Sequence, residues 1–482
     1  MTDRVTKPRQ RRKKETTLKQ ENKIAPAKLQ ALPDISAQKD QDCATDRKDS
    51  LMSTPRSSDP NDVGSPGKDV ILRIRSQYRL PMSYQPSMAD AYDNVFIAHF
   101  VALNSGIRSY QAQTPWIALL PGLQQKAQTP ALKLSIRAAA MAFYARVHGD
   151  APVLVDSYRW YTRSLENQRK ALSRLSRNAV PSDEECLAPI ILGLYEVYAG
   201  TTPSTVFQHL NAAASILAMK GPRNCSSEEA FPLFLIIRVS EAHKAVVFNK
   251  PSVFATPEWM TLPFLLTPKN AHMHLVDIIL SIPECIRLTG TDATLSGFFS
   301  NPLPPIDDLT PVRERTKELL DQLNKWAERH PHLCTIFPAS QVITTEDMTT
   351  PIDLSAPKPQ AAALKLPDTF VASATAAFKA AHLVLTLLLA KVSPAGPAAD
   401  SEIAVSDLTA RAVADAKDIL EVSTYVESTH PVGFNFLRCV FPLVIAAILS
   451  PLAEDRKAAR SMLDRWGAER GLGGLCGSWV GV

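Results

Sequence analysis

Two histidine pairs come nearest to a metal-ligand spacing in this chain, His272 with His274 and His330 with His332. On a strand, residues two apart share a face and can grip one ion; on a helix they diverge by about 200° and point apart. The apolar spacing around residues 274–288 is helical, so His272 and His274 are expected to face opposite ways. His330 and His332 flank Pro331 at a predicted helix end, where a hydrogen-bonding side chain suits the terminal carbonyls. Neither pair is expected to hold metal. The acidic clusters Asp183-Glu184-Glu185 and Glu228-Glu229 stand at predicted helix starts, where the helix dipole favours negative charge, so their expected role is structural rather than acid–base. His209, among Leu210, Ala213 and Leu217, has the setting of a hydrogen-bonded interior histidine.

Nucleophiles and phosphate loops fare no better. The seven cysteines (Cys43, Cys186, Cys225, Cys285, Cys334, Cys439, Cys476) lie far apart without a CxxC pair, which predicts reduced thiols in an intracellular protein. No GxSxG elbow and no Walker-type loop occurs. The glycines of residues 471–477 follow no strand, and a frayed tail is expected there. The expectation is a non-enzymatic chain with no catalytic residue, cofactor or metal.

The elements that position these residues are helical. Thirty-seven prolines against eighteen glycines fit proline-punctuated helices better than hairpins, which call for glycine at tight turns. Apolar residues recur at spacings of three and four from Asp90 onward: Tyr92, Val95, Phe96, His99, Phe100 and Leu103 make one helix face. Thr129-Pro130, Pro181-Ser182, Pro203-Ser204 and residues 226–229 read as helix starts, and Lys220-Gly221-Pro222 reads as a stop. Period-two alternation is absent. The predicted fold is all-α, an array of ten or more helices. Its divisions are a disordered basic and polar arm over residues 1–87, a helical domain over 88–470 with a flexible connector at 335–366, and a glycine-rich tail over 471–482. A charged N-terminus without an apolar run argues against a secretion signal. Residues 380–392 look too short to span a bilayer, residues 434–452 contain Arg438 and Pro442, and no membrane partner is expected.

From Leu187 the order of ordinary residues becomes informative. Leu192-Gly193-Leu194 closes on Tyr195-Glu196; His209-Leu210-Asn211-Ala212-Ala213 leads through Ile216-Leu217 to the Lys220-Gly221-Pro222 stop. Residues 231–238, ending on Arg238, are followed by Phe254 and Glu258-Trp259, and later by Phe441-Pro442-Leu443, Asp455-Arg456 and Leu463. This ordered set resembles the fungal-specific transcription factor domain, the helical regulatory region normally found downstream of a six-cysteine binuclear zinc cluster. The matching positions span residues 187–463. Ala212 stands where the family usually has Gly, and a Trp common shortly before the His is missing. Alanine favours a helix over glycine by about 1 kcal/mol, so neither departure opposes a helical fold.

The cluster itself is missing. Two zinc ions shared by six thiolates need a run of cysteines, and only Cys43 occurs in the first 185 residues. Arg9-Gln10-Arg11-Arg12-Lys13-Lys14 resembles the basic stretch of that cluster, with Val5, Pro8 and Glu15 where its first three cysteines would fall, either a relic or a coincidence in a basic arm. Lys7, Arg9, Arg11, Arg12, Lys13 and Lys14 are the expected nuclear import signal or phosphate contacts; without a scaffold in a groove, such contacts are blind to base sequence. The resemblance implies a nuclear transcription regulator of a metabolic or secondary-metabolite gene set, acting through protein contacts. Its expected partners are other transcription factors or a second copy of itself, with DNA through the arm and a small-molecule effector beside them. The competing expectation is a cytoplasmic helical scaffold descended from such a regulator.

Overall fold

Caps and glycine stops divide the chain much as the sequence suggests. The computed structural model describes residues 89–105, 115–174, 179–202, 204–305, 308–334, 369–393, 405–429 and 437–479, and among these it has sixteen α-helices and no strand. The fold is all-α. The predicted basic arm, residues 1–87, and the connector at 335–366 lie outside the described residues.

Helices α1 (Ala89–Ser105), α2 (Pro115–Lys126), α3 (Pro130–His148), α4 (Ala151–Arg174) and α5 (Asp183–Ala199) build the first half of the body. They lead into α6 (Thr205–Lys220), α7 (Ala230–Phe248), the short α8 (Pro257–Thr261) and α9 (Ala271–Arg287). The chain continues through α10 (Leu295–Ser300), α11 (Thr310–Arg329), α12 (Thr369–Val392) and α13 (Val405–Thr429), and closes with α14 (Val440–Leu449), α15 (Ala453–Glu469) and α16 (Gly473–Ser478).

Helix α5 is the axis of the first half. Ser182 begins it with a reciprocal capping box, Glu185 N–H donating to Ser182 Oγ at 3.2 Å and Ser182 N–H to the Glu185 carboxylate at 2.8 Å. Every residue from 186 to 198 is buried, the mark of a helix surrounded by others. Its chief neighbours are α3, α6 and α16, with α4 and α7 also in contact. Glu184 ties it to α3: its carboxylate accepts the Gln128 N–H at 2.8 Å and the Thr129 N–H at 2.7 Å, capping a helix whose Thr129 makes no side-chain cap of its own. Burial raises the pKa of Glu184, but the Thr129 and Gln128 hydrogen bonds outweigh it and hold the carboxyl below its ordinary range.

Two expectations need correcting. The apolar run at 380–392 is the end of a longer helix: residues 370–392 of α12 are long and apolar enough to cross a membrane, so the length argument fails. Of its 18-residue apolar window 83% is buried, and the helix packs chiefly against α11, α13 and α14, which accounts for its composition as a core helix. The glycine-rich tail is not frayed either. Residues 473–478 form α16, which packs on α5 and α15, because Gly200 and Gly474 bring two backbones closer than side chains would allow.

Candidate functional site

Tyr195, Glu196 and His209, brought together by α5 and α6, share one buried partner, Tyr161 of α4. The Tyr161 ring stacks on Tyr195 at 4.3 Å between centroids, and its hydroxyl lies 2.9 Å from His209 Nε2. Glu196, with no exposed surface, accepts the Thr201 N–H at 3.0 Å and the Thr201 hydroxyl at 2.6 Å, and also pairs with the Tyr161 hydroxyl. These contacts are mutually consistent when neutral His209 donates from Nε2 to Tyr161 and Tyr161 donates to Glu196. Burial lowers the His209 pKa to about 4, and burial followed by the Glu196 hydrogen bond pushes the Tyr161 phenol above its usual range. The expectation of a hydrogen-bonded interior His209 is met.

The other positions singled out in the sequence lie elsewhere in the body. Gly221 ends α6 at φ +84°, and Pro222 leads into a 3₁₀ turn, while Lys220 reaches back to the Pro181 carbonyl and the Asp183 carboxylate, both at 3.0 Å. Arg238 is fully buried on α7, where it pairs with Asp277, donates to the Met273 carbonyl at 3.4 Å and lies over Phe264. Burial lowers its pKa against the opposing pull of Asp277. Trp259 packs on Phe254 and Phe234. Pro442 is buried inside α14, and Arg456 donates to the Pro451 carbonyl at 3.1 Å, tying α15 to the turn before it. Lys7, Arg9, Arg11, Arg12, Lys13 and Lys14 lie outside the described residues.

The histidine pairs separate as helix geometry requires: His272 is buried on α9 and His274 exposed. His330 closes α11, its N–H donating to the Trp326 carbonyl at 3.0 Å. Among the described residues no group of three or more His, Cys, Asp or Glu is placed to hold a metal.

Space for a ligand lies beside the polar network. A half-open cavity of about 110 Å³ is walled by Leu194 and Val197 of α5, by Phe207 and Leu210 of α6, and by Val239, Ser240 and His243 of α7. Arg438 and Phe441, at the start of α14, and Leu475 and Trp479, on and just past α16, complete it. His243 and Phe441 stack face to face, 4.0 Å apart and 4° from parallel. Burial first, and the Arg438 charge second, push His243 well below its ordinary pKa; burial draws Arg438 only to about 10, so it is a cation at neutral pH. Trp479 packs on Phe207 at 4.6 Å and on Phe248 at 5.7 Å, and its indole N–H is buried without a hydrogen-bond partner.

The chain is similar to uncharacterized protein AN5342 of Emericella nidulans, with 24% identity over 150 residues. The match takes in 31% of this chain and 32% of that protein, so the chain spans about a third of its relative's length. No family model matches the chain, and no solved structure does.

The cavity escaped the sequence because its parts are scattered over α5, α6, α7 and the C-terminal residues. Two signals were present. His243 interrupts the apolar run at 231–248, and Arg438 interrupts the apolar run at 434–452, each a polar residue that burial makes costly without a purpose. Tyr161, the hub of the polar network, carries no sequence signal beyond its place on the buried face of α4.

Proposed function

We propose that this chain is a transcription regulator that works in the nucleus through protein contacts of its helical body, with the basic arm serving import or sequence-blind phosphate contact. One observation supports the reading: Tyr195, Glu196, His209, Arg238, Trp259 and Pro442, which carry the resemblance to the fungal-specific transcription factor domain, all serve as interior supports of the helical body. Residues that serve as interior supports are spaced by helix packing rather than by chemistry, which is the pattern these have. The proposed role is non-catalytic, a reading supported by the pairing of Tyr161, Glu196 and His209 with one another. Its partners are other transcription factors or a second copy of the chain, its effector a small molecule, and its output a metabolic or secondary-metabolite gene set.

Deleting the gene and profiling transcripts tests the output, with a defined set of genes expected to respond. A tagged chain should enter the nucleus, and changing Arg11, Arg12, Lys13 and Lys14 to Ala should keep it out. Cytoplasmic residence under every condition, with unaltered transcripts, would overturn the reading in favour of a scaffold. Titration with specific and scrambled duplexes at two salt concentrations should give equal affinities that collapse together as salt rises.

A further inference from the structure

We infer that the cavity shared by α5, α6, α7, the start of α14 and α16 is a binding site for a compact, uncharged phenol. Size sets the first limit: apolar cavities on the order of 150 Å³ hold one benzene ring, and this one, about 110 Å³ and half-open, suits a single ring that need not be wholly enclosed. The walls set the second. Phe207, Phe441 and Trp479 supply ring faces and edges, so a flat ring gains more contact than a puckered or branched one.

Hydrogen bonding sets the third. Ser240 and His243 stand three apart on α7, which puts them on the same side of the helix, and both line the cavity. Among the described residues neither side chain has a hydrogen-bond partner. The stack on Phe441, 4.0 Å between centroids, fixes the plane of the His243 ring. Burial above all lowers its pKa to about 3, so the ring is neutral at ordinary pH and carries one N–H donor and one acceptor nitrogen. A ligand hydroxyl both donates and accepts, and therefore matches either nitrogen as well as the Ser240 hydroxyl. A carbonyl only accepts and could not answer the acceptor nitrogen. Phenols ionise at about pH 10, so the ligand enters neutral and the apolar wall takes in no new charge. Arg438, also in the wall, is already engaged, and an uncharged ligand does not depend on its charge.

The test uses the full chain in calorimetric titrations with phenol, with toluene as the ring that lacks the hydroxyl and with cyclohexanol as the hydroxyl on a puckered ring. Phenol should bind several-fold more tightly than cyclohexanol. The ratio of phenol to toluene affinity should fall about tenfold in His243→Phe, which keeps a flat ring against Phe441, and several-fold in Ser240→Ala. Leu210→Trp, at the half-buried rim, should block phenol and toluene alike. No phenol binding, cyclohexanol binding as tight as that of phenol, a ratio unmoved by both α7 variants, or phenol binding untouched by Leu210→Trp would each overturn the site. Should His243→Phe fail to fold, Ser240→Ala decides the hydrogen bond and cyclohexanol the ring. The inference stands on the cavity and not on the regulatory reading: phenol binding with transcripts unchanged on gene deletion would spare the first and sink the second, and the reverse result would do the opposite.

Discussion

Helices α5 and α6 each furnish two neighbouring sites of opposite character. Tyr195 and Glu196 of α5 and His209 of α6 join a polar network in which donors and acceptors are matched. Leu194 and Val197 of α5, with Phe207 and Leu210 of α6, line a space whose few polar groups include an unpaired indole N–H. The network has the classes of side chain associated with catalysis, but they are spent on one another. The cavity has room and little chemistry. Residue type alone would direct attention to the wrong one, because a fully paired buried polar group is a structural device, whereas unfilled volume with unmet donors leaves binding energy available.

Acid should break the structural half of this comparison with the largest effect. His99 and His209 are lowered to about 3 and about 4, and His272 also falls well below its ordinary value, in each case chiefly through burial. Above pH 6.5 these rings are neutral in both folded and unfolded chains. Below it the unfolded chain takes up protons that the folded chain refuses, so each ring withdraws about 1.4 kcal/mol of stability per pH unit until its folded pKa is reached. Urea denaturation between pH 7 and pH 4.5 should therefore show a loss of several kcal/mol, beginning near pH 6.5. A flat profile down to pH 5 would mean that the interior accepts these protons and that the network is not closed.

Glu196→Ala comes next, at about 3 kcal/mol, since it strands the Thr201 N–H, the Thr201 hydroxyl and the Tyr161 hydroxyl in the interior. Ser240→Ala, in the cavity wall, should stay within about 0.5 kcal/mol. Equilibrium unfolding of the two variants compares a spent group with an unspent one directly. Equal costs would erase the distinction.

How legible each region was follows from the range of the interactions that make it. Local signals carried the helices: Ser182 with Glu185, Pro130 at the first turn of α3, Gly221 at the end of α6, all within four residues of the boundary they set. His209 could be placed inside the body from its neighbours, but its partner Tyr161 lies 48 residues away. The cavity needs five segments at once, the last of them in a glycine-rich stretch that looks like a tail when only composition is weighed. Its order comes from the Gly200–Gly474 approach, a tertiary contact with no local trace. Length misled in the other direction at α12, where the apolar run extends N-terminally from residue 380 to Phe370 through a series of alanines.

Glycine offers the finest test of where this body is full and where it has room. A Cβ at Gly474 would fall onto the Glu196 carbonyl, within 2.9 Å of its carbon and 3.1 Å of Gly200 Cα, and both obstacles are backbone. Gly474→Ala should therefore push α16 away from α5 at a cost of about 2 kcal/mol, and loosen the Trp479 wall of the cavity with it. A Cβ at Gly193, which lines the cavity on α5, meets only His209 Cβ at 3.5 Å, an ordinary contact. There the gain in helix propensity is unopposed, and Gly193→Ala should stabilise the chain by about 1 kcal/mol or less. Opposite signs in equilibrium unfolding are the expected result. If Gly193→Ala destabilises instead, the wall of α5 is packed tightly enough that the cavity beside it is smaller than its outline.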